Sequence, residues 1–99
     1  MYLCNNKISD IKVLENANFK ELEILDLSLN EISDINVLKN INFKELKTLY
    51  LNDNKISEIK LLENISLNKL KELSLTGNKF EYNSSIIDNI KSKIKYFYY

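Results

Sequence analysis

The chain has 99 residues, with 14 lysines balanced by 14 acidic residues and with no arginine, histidine, tryptophan or proline. This length fits one domain. Without arginine the chain lacks the bidentate group that suits phosphates and base edges, and without histidine it lacks the usual general base near neutral pH. The composition therefore predicts no nucleic-acid partner and gives little support to catalysis.

The single cysteine, Cys4, has no second cysteine for an internal disulfide, and the N-terminus lacks the basic start and apolar stretch of a secretory signal. Polar residues interrupt every apolar run far short of the ~20 residues that span a bilayer. These features predict a soluble, cytoplasmic protein that does not contact membranes. Cys4 also lacks a histidine to activate it and a second thiol for a metal, so we predict no catalytic residue, metal or cofactor.

The sequence repeats itself every 24 residues, without insertion, from Met1 to Tyr99. A period of this size is typical of a repeat protein, in which each unit contacts only its neighbours. Three columns of apolar residues carry the repeat most clearly. They are Leu22, Leu46, Leu70 and Ile94; Met1, Leu25, Leu49, Leu73 and Phe97; and Leu3, Leu27, Leu51, Leu75 and Tyr99.

In chain order, each unit opens with a short strand and continues into a helical turn. The spacing Leu22-x-x-Leu25-x-Leu27 ends in the two-residue alternation of a strand with one buried face. The later spacing of three, from Ile32 to Ile35, suits a 3₁₀ or short α-helical turn. The serines that precede an acidic residue at the start of each turn are predicted to be N-caps. They are Ser9, Ser33 and Ser57.

An asparagine follows every strand of the first four units. At this bend the backbone loses its sheet partners, and a buried carboxamide offers two donors and an acceptor that can bond the backbone of the next turn. We therefore predict a structural asparagine ladder. Its members are Asn6, Asn30, Asn54 and Asn78.

Residues 84–93 depart from the pattern, because Asn83 replaces the isoleucine that earlier units have at this position. This segment is predicted to be an amphipathic helix that acts as a C-terminal cap. Its inward residues are predicted to be Ile86, Ile87, Ile90 and Ile94.

A single unit is too small to fold alone. Each buried apolar side chain contributes about 1.5–3 kcal/mol, whereas ordering the backbone costs roughly 1–2 kcal/mol for every residue. Stacking the units in parallel register buries like residues above one another and forms a continuous core. Residues 1–99 are therefore predicted to be one domain of about four 24-residue repeats, with parallel strands and an α/β architecture.

The segments from Leu22 to Ile32 and from Leu46 to Ile56 resemble the leucine-rich-repeat motif LxxLxLxxNxI. The continuation Ile-Ser-Asp-Ile-x-x-Leu, at Ile8 and Ile32, resembles the subclass of bacterial internalins and the phosphatase-1 regulatory subunit, although here each unit is 24 residues long. The resemblance implies a right-handed solenoid, with strands on a concave face that binds proteins and 3₁₀ or short helical turns on the convex face. Phe19, Phe43 and Leu67 are then predicted to form an inner convex spine.

On such a solenoid, the solvent-directed strand positions form columns that a protein or peptide partner could contact. Several of these residues are larger and more apolar than a solvated surface requires, and tyrosine is enriched at binding hot spots. The alternative is that they are strand-favouring residues scattered on a surface. The predicted partner-binding residues are Tyr2, Ile24, Asp26, Leu29, Thr48, Tyr50, Asn52 and Asp53.

Charges alternate between units in two further columns, and we predict ion pairs between repeats there. These columns are Lys7, Glu31 and Lys55, and Glu15, Lys39 and Glu63. At the two ends the chain begins and stops inside strands. We therefore expect either a longer protein or a homo-oligomer formed through exposed strand edges.

The leading functional prediction is a non-enzymatic protein-interaction module or scaffold. Two alternatives remain: a structural or oligomerising segment of a longer repeat protein, and a regulatory subunit of an enzyme such as a phosphatase. The second alternative rests on the resemblance alone.

Overall fold

The computed structural model describes residues 1–65 and 68–99. Four short parallel strands form one sheet in the order β1-β2-β3-β4, with each strand 24 residues after the last and in unshifted register. The strands are β1 (Ile24–Asp26), β2 (Thr48–Tyr50), β3 (Glu72–Ser74) and β4 (Tyr96–Tyr98). The first unit contributes a single bridge, between Tyr2 and Asp26, rather than a full strand. The predicted parallel solenoid is confirmed.

Three 3₁₀ helices alternate with the strands, as the three-residue spacing predicted. They span Lys12–Asn16, Asn36–Asn40 and Lys60–Glu63. The predicted serine N-caps are wrong, because the helices start later and their N-cap residues are isoleucines without a capping side chain. The carboxylates of Asp10 and Asp34 instead accept hydrogen bonds from the backbone amides two residues further on, at 2.8 and 2.9 Å.

The core consists of the apolar columns stacked on one another. Leu25, Leu49 and Leu73 are fully buried at the centre of the sheet. The columns lose their burial at the two ends of the stack, where a residue has a neighbour on one side only. Phe97 is half-buried and Tyr99, which was predicted to continue a core column, is exposed.

The side of the sheet opposite the strand surface contains an aromatic pair. The rings of Phe19 and Phe43 are both buried and stack at a centroid distance of 5.9 Å, with an interplanar angle of 15°. The two residues that lengthen each unit relative to the related 22-residue repeats therefore lead into a buried aromatic contact. The third member of the predicted spine, Leu67, lies outside the described residues.

The helix predicted over residues 84–93 is α1, Ser84–Lys93. Asn83 is its N-cap, with Oδ1 accepting from the backbone amides of Ser85 and Ile86 at 3.0 and 3.3 Å. Ile87 and Ile90 are buried in the core. The asparagine that breaks the isoleucine column therefore starts the helix.

The ion pairs between repeats lie in other columns than those predicted. Among the described residues, Lys47 Nζ lies 2.5 Å from Glu23 and Lys69 Nζ lies 2.8 Å from Glu45, each pair joining adjacent units across 24 residues. The neighbouring charge lowers the pKa of Glu23 and raises that of Lys47. Both pairs are exposed and contribute little to stability. Within residues 1–65 and 68–99, no helix is long and apolar enough to cross a membrane.

Candidate functional site

The asparagine ladder fixes the bend at the end of each strand. The Oδ1 of Asn30 accepts from the backbone amides of Asn6 and Ile8, both at 2.9 Å, and its Nδ2 donates to the carbonyls of Leu3 and Leu27 at 3.0 Å. Asn30 thus joins its own repeat to the preceding one. The sequence had predicted bonding to the next turn, and the direction is the reverse.

Asn54 and Asn78 repeat the same geometry. Their Oδ1 atoms accept from Ile32 and Ile56 of the preceding unit, both at 3.0 Å, and their Nδ2 atoms donate to carbonyls of both units. Asn6 differs, because its Nδ2 donates to the carbonyls of Leu3 and Cys4 within its own unit. No side-chain nitrogen or oxygen that is buried in the described part of the chain lacks a hydrogen-bond partner.

The residue immediately before each ladder asparagine adopts a left-handed backbone conformation. The φ angles are 59° at Asn5, 56° at Leu29, 57° at Asp53 and 71° at Gly77. Asparagine, aspartate and glycine tolerate this region, whereas a bulky apolar residue does so at a cost. Leu29 is the exception in its column, and its side chain is 53% exposed.

We call the solvent-directed surface of the sheet the strand face, and define it by four columns. Its central column has adjacent members paired across the sheet, Tyr2 with Asp26, Asp26 with Tyr50, Tyr50 with Ser74, and Ser74 with Tyr98. The other three columns are Ile24, Thr48, Glu72 and Tyr96; Cys4, Ser28, Asn52 and Thr76; and Asn5, Leu29, Asp53 and Gly77.

Tyr50 occupies the middle of the strand face and is half-buried. Desolvation raises its pKa, as do a hydrogen bond to the carboxylate of Glu72 and the negative charges of Glu72 and Asp26. Asp26 is the direct cross-strand neighbour of Tyr50, and Glu72 lies on the strand at its other side. Two carboxylates therefore flank the Tyr50 ring.

The other polar groups of the face are held by local hydrogen bonds. Asp26 Oδ1 accepts from the amide of Ser28 at 3.0 Å and from its hydroxyl at 2.6 Å. Asn52 Nδ2 donates to Asp53 Oδ2 at 2.8 Å. These bonds orient the carboxylates before any partner arrives.

All eight residues that the sequence proposed as contacts lie on the strand face. Tyr2 and Leu29 are exposed, and Asp53 is too, whereas Ile24, Asp26, Thr48, Tyr50 and Asn52 are half-buried. The proposed set left out Glu72, Tyr96 and Tyr98, although the repeat columns contain them. Tyr96 and Tyr98 are each 48% exposed.

A second aromatic group surrounds the last residue of the chain. Tyr99 lies 5.0 Å from Phe97 and 6.4 Å from Tyr82 between ring centroids, and Lys91 Nζ lies 5.1 Å from the Tyr99 centroid. Tyr99 raises the pKa of Lys91. This group ties α1 to the end of the sheet.

In the described ranges, no cluster of three or more acidic or cysteine side chains could hold a metal ion. Cys4 is a free, exposed thiol on the strand face.

Residues 44–92 match the family model described as leucine-rich repeats, in two copies. A comparison with curated proteins found no match. The family match, the single parallel sheet and the alternating 3₁₀ turns together define a leucine-rich-repeat solenoid. Leucine-rich repeats generally mediate protein–protein interaction and are typically non-enzymatic.

Proposed function

We propose that this protein binds a protein or peptide partner through the strand face, with Tyr2, Leu29 and Tyr50 as the main contacts. The observation that carries this proposal is the state of Leu29. Its backbone is in the left-handed region at φ 56° while more than half of its apolar side chain is in contact with water. Both features are unfavourable in the free protein, and burial against a partner would recover the second.

The neighbouring residues support the same surface. Tyr2 is 69% exposed at one end of the central column, and Tyr98 is exposed at the other. Tyr50 lies between them with a hydrogen-bonded hydroxyl, which is the combination of a large apolar ring and a polar tip that is enriched at interfaces.

The proposal is tested by affinity capture from the source cell with three baits. The wild-type chain should capture a partner that Tyr50→Ala and Leu29→Asn do not capture. The control bait is Tyr82→Ala, which removes a 67% exposed tyrosine outside the strand face. Loss of capture by the control alone, or no difference among the baits at equal melting temperature, would contradict a role for this face.

A second candidate function is structural. β4 pairs with β3 and stands at the edge of the sheet, where the aromatic sequence Tyr96-Phe97-Tyr98 has a strand neighbour on one side only. Exposed edges of this kind favour self-association. Light scattering over a range of protein concentrations tests it, and a constant monomer mass would rule it out. Regulation of an enzyme, suggested by the resemblance to the phosphatase-1 regulatory subclass, is a further alternative.

A further inference from the structure

The strand face segregates charge. Its four columns contain three acidic residues, Asp26, Asp53 and Glu72, and no lysine, although the chain as a whole has equal numbers of acidic and basic residues. The nearest lysine column, which precedes the strands, is already engaged at two of its positions. Lys47 pairs with Glu23, and Lys95 lies over Tyr96.

The centre of the face has the geometry of a cation site. Asp26 and Glu72 lie on the strands at either side of Tyr50, and adjacent strands are about 4.8 Å apart. A cation placed over the Tyr50 ring would therefore be within reach of both carboxylates and of the electron-rich face of the ring. The two interactions act together on one group.

Tyrosines of this chain already accept cations. Lys95 Nζ lies 5.3 Å from the centroid of Tyr96, and Lys91 Nζ lies 5.1 Å from that of Tyr99. In the described part of the chain these are the two cation–ring contacts, so the rings of Tyr2 and Tyr50 are available to a ligand. They lie in the central column, on either side of Asp26.

The size of the face favours a peptide over a large folded surface. Five rungs of four residues cover about 300 Å² in projection, from a strand spacing of about 4.8 Å and a rise of about 3.3 Å per residue. A stable protein–protein interface buries roughly 800 Å² on each partner. An extended segment that crosses the rungs would need about seven residues.

Resting on the proposed function, we propose that the strand face binds a basic, extended peptide segment of about seven residues, with an arginine or lysine side chain over Tyr50 between the carboxylates of Asp26 and Glu72.

The test uses three defined heptapeptides with blocked ends. The first alternates alanine with arginine, the second replaces each arginine by citrulline, and the third replaces each arginine by glutamate. Citrulline keeps the shape of arginine and removes its charge. Binding is followed by titration in amide ¹H–¹⁵N spectra of the full chain, which also show directly that each variant is folded.

The arginine peptide should give saturable shifts centred on the amides of Asp26, Tyr50 and Glu72. The citrulline peptide should bind about tenfold more weakly, the glutamate peptide should not bind, and added salt should weaken the arginine complex. The double variant Asp26→Asn, Glu72→Gln should also lose about tenfold in affinity. Asparagine at position 26 keeps the acceptor oxygen that Ser28 uses. The matched control, Glu21→Gln with Glu31→Gln, removes two exposed charges elsewhere and should bind like the wild type.

Equal binding of the arginine and citrulline peptides, shifts that map outside the strand face, or unchanged affinity in the double variant would overturn the inference. The two proposals fail separately. A partner captured by the wild type but not by Tyr50→Ala, together with no preference for the arginine peptide, would leave the binding face in place and refute the basic ligand alone.

Discussion

The carboxylate of Asp53 lies directly against the backbone of Gly77, in the space that a side chain at position 77 would occupy. A β-carbon added to Gly77 would overlap Asp53 Oδ1 and lie 3.1 Å from Asp53 Cγ. Gly77 also has a φ of 71°. Two independent features therefore require glycine here, one in the backbone and one in the adjacent repeat.

Gly77→Ala should lower the free energy of unfolding by at least about 1 kcal/mol, because alanine is strained in the left-handed region and must displace the Asp53 side chain. Urea denaturation measures the loss. In an Asp53→Gly background the cost of the same substitution should be smaller. An equal cost in both backgrounds would show that the contact with Asp53 adds nothing.

Asn30→Ala should destabilise the protein by about 3 kcal/mol or more, because it leaves several buried backbone donors and acceptors without partners at roughly 1–3 kcal/mol each. Asn6→Ala is the matched control in the same column. Asn6 is exposed and bonds within its own unit, so its loss should cost much less. Equal denaturation midpoints for the two variants would contradict the ladder as a link between repeats.

Leu29→Asn should stabilise the free protein by up to about 1 kcal/mol, since asparagine tolerates the left-handed region and leaves no large apolar side chain in water. The same substitution should reduce partner binding. Thermal denaturation gives the first value and the capture experiment the second. A variant that is both less stable and fully active in binding would remove the basis for treating Leu29 as a contact.

The pKa of Tyr50 is raised, which gives the protein a specific alkaline sensitivity. Above the ordinary tyrosine pKa of about 10 the unfolded chain loses this proton before the folded chain does, so stability is complete below that pH and falls as pH rises toward the folded value. Glu72→Gln should lower the Tyr50 pKa but not restore the ordinary value, because desolvation remains. Titration of ¹³Cζ-labelled tyrosine follows Tyr50 apart from the other five rings. An unchanged Tyr50 pKa in this variant would contradict the contact with Glu72.

The repeat made most of the fold predictable. A 24-residue period with Leu25, Leu49 and Leu73 in one column is enough to place the strands, their parallel order and the core, because stacking is the arrangement that buries all members together. The same periodicity placed the proposed contact residues on one surface. What that surface binds depends on a partner whose sequence the chain does not contain.

Local geometry was less predictable. The serine caps were wrong because the 3₁₀ helices begin two residues later than expected, which brings Asp10 and Asp34 to the bonding position. The ion-pair columns were wrong because opposite charge in adjacent units does not determine whether long side chains meet. The left-handed column did leave a signal, since three of its four members, Asn5, Asp53 and Gly77, tolerate that conformation.

The direction of the carboxamide bonds has a consequence for how the chain matures. The amides of Asn6 and Ile8 depend on an acceptor that is 24 and 22 residues further along the chain. During synthesis, each unit that leaves the ribosome is therefore incomplete until its successor emerges. Co-translational folding should proceed in steps of one repeat, with the newest unit always the least ordered, and a stalled ribosome would hold a chain whose last emerged unit is the preferred point of proteolytic attack.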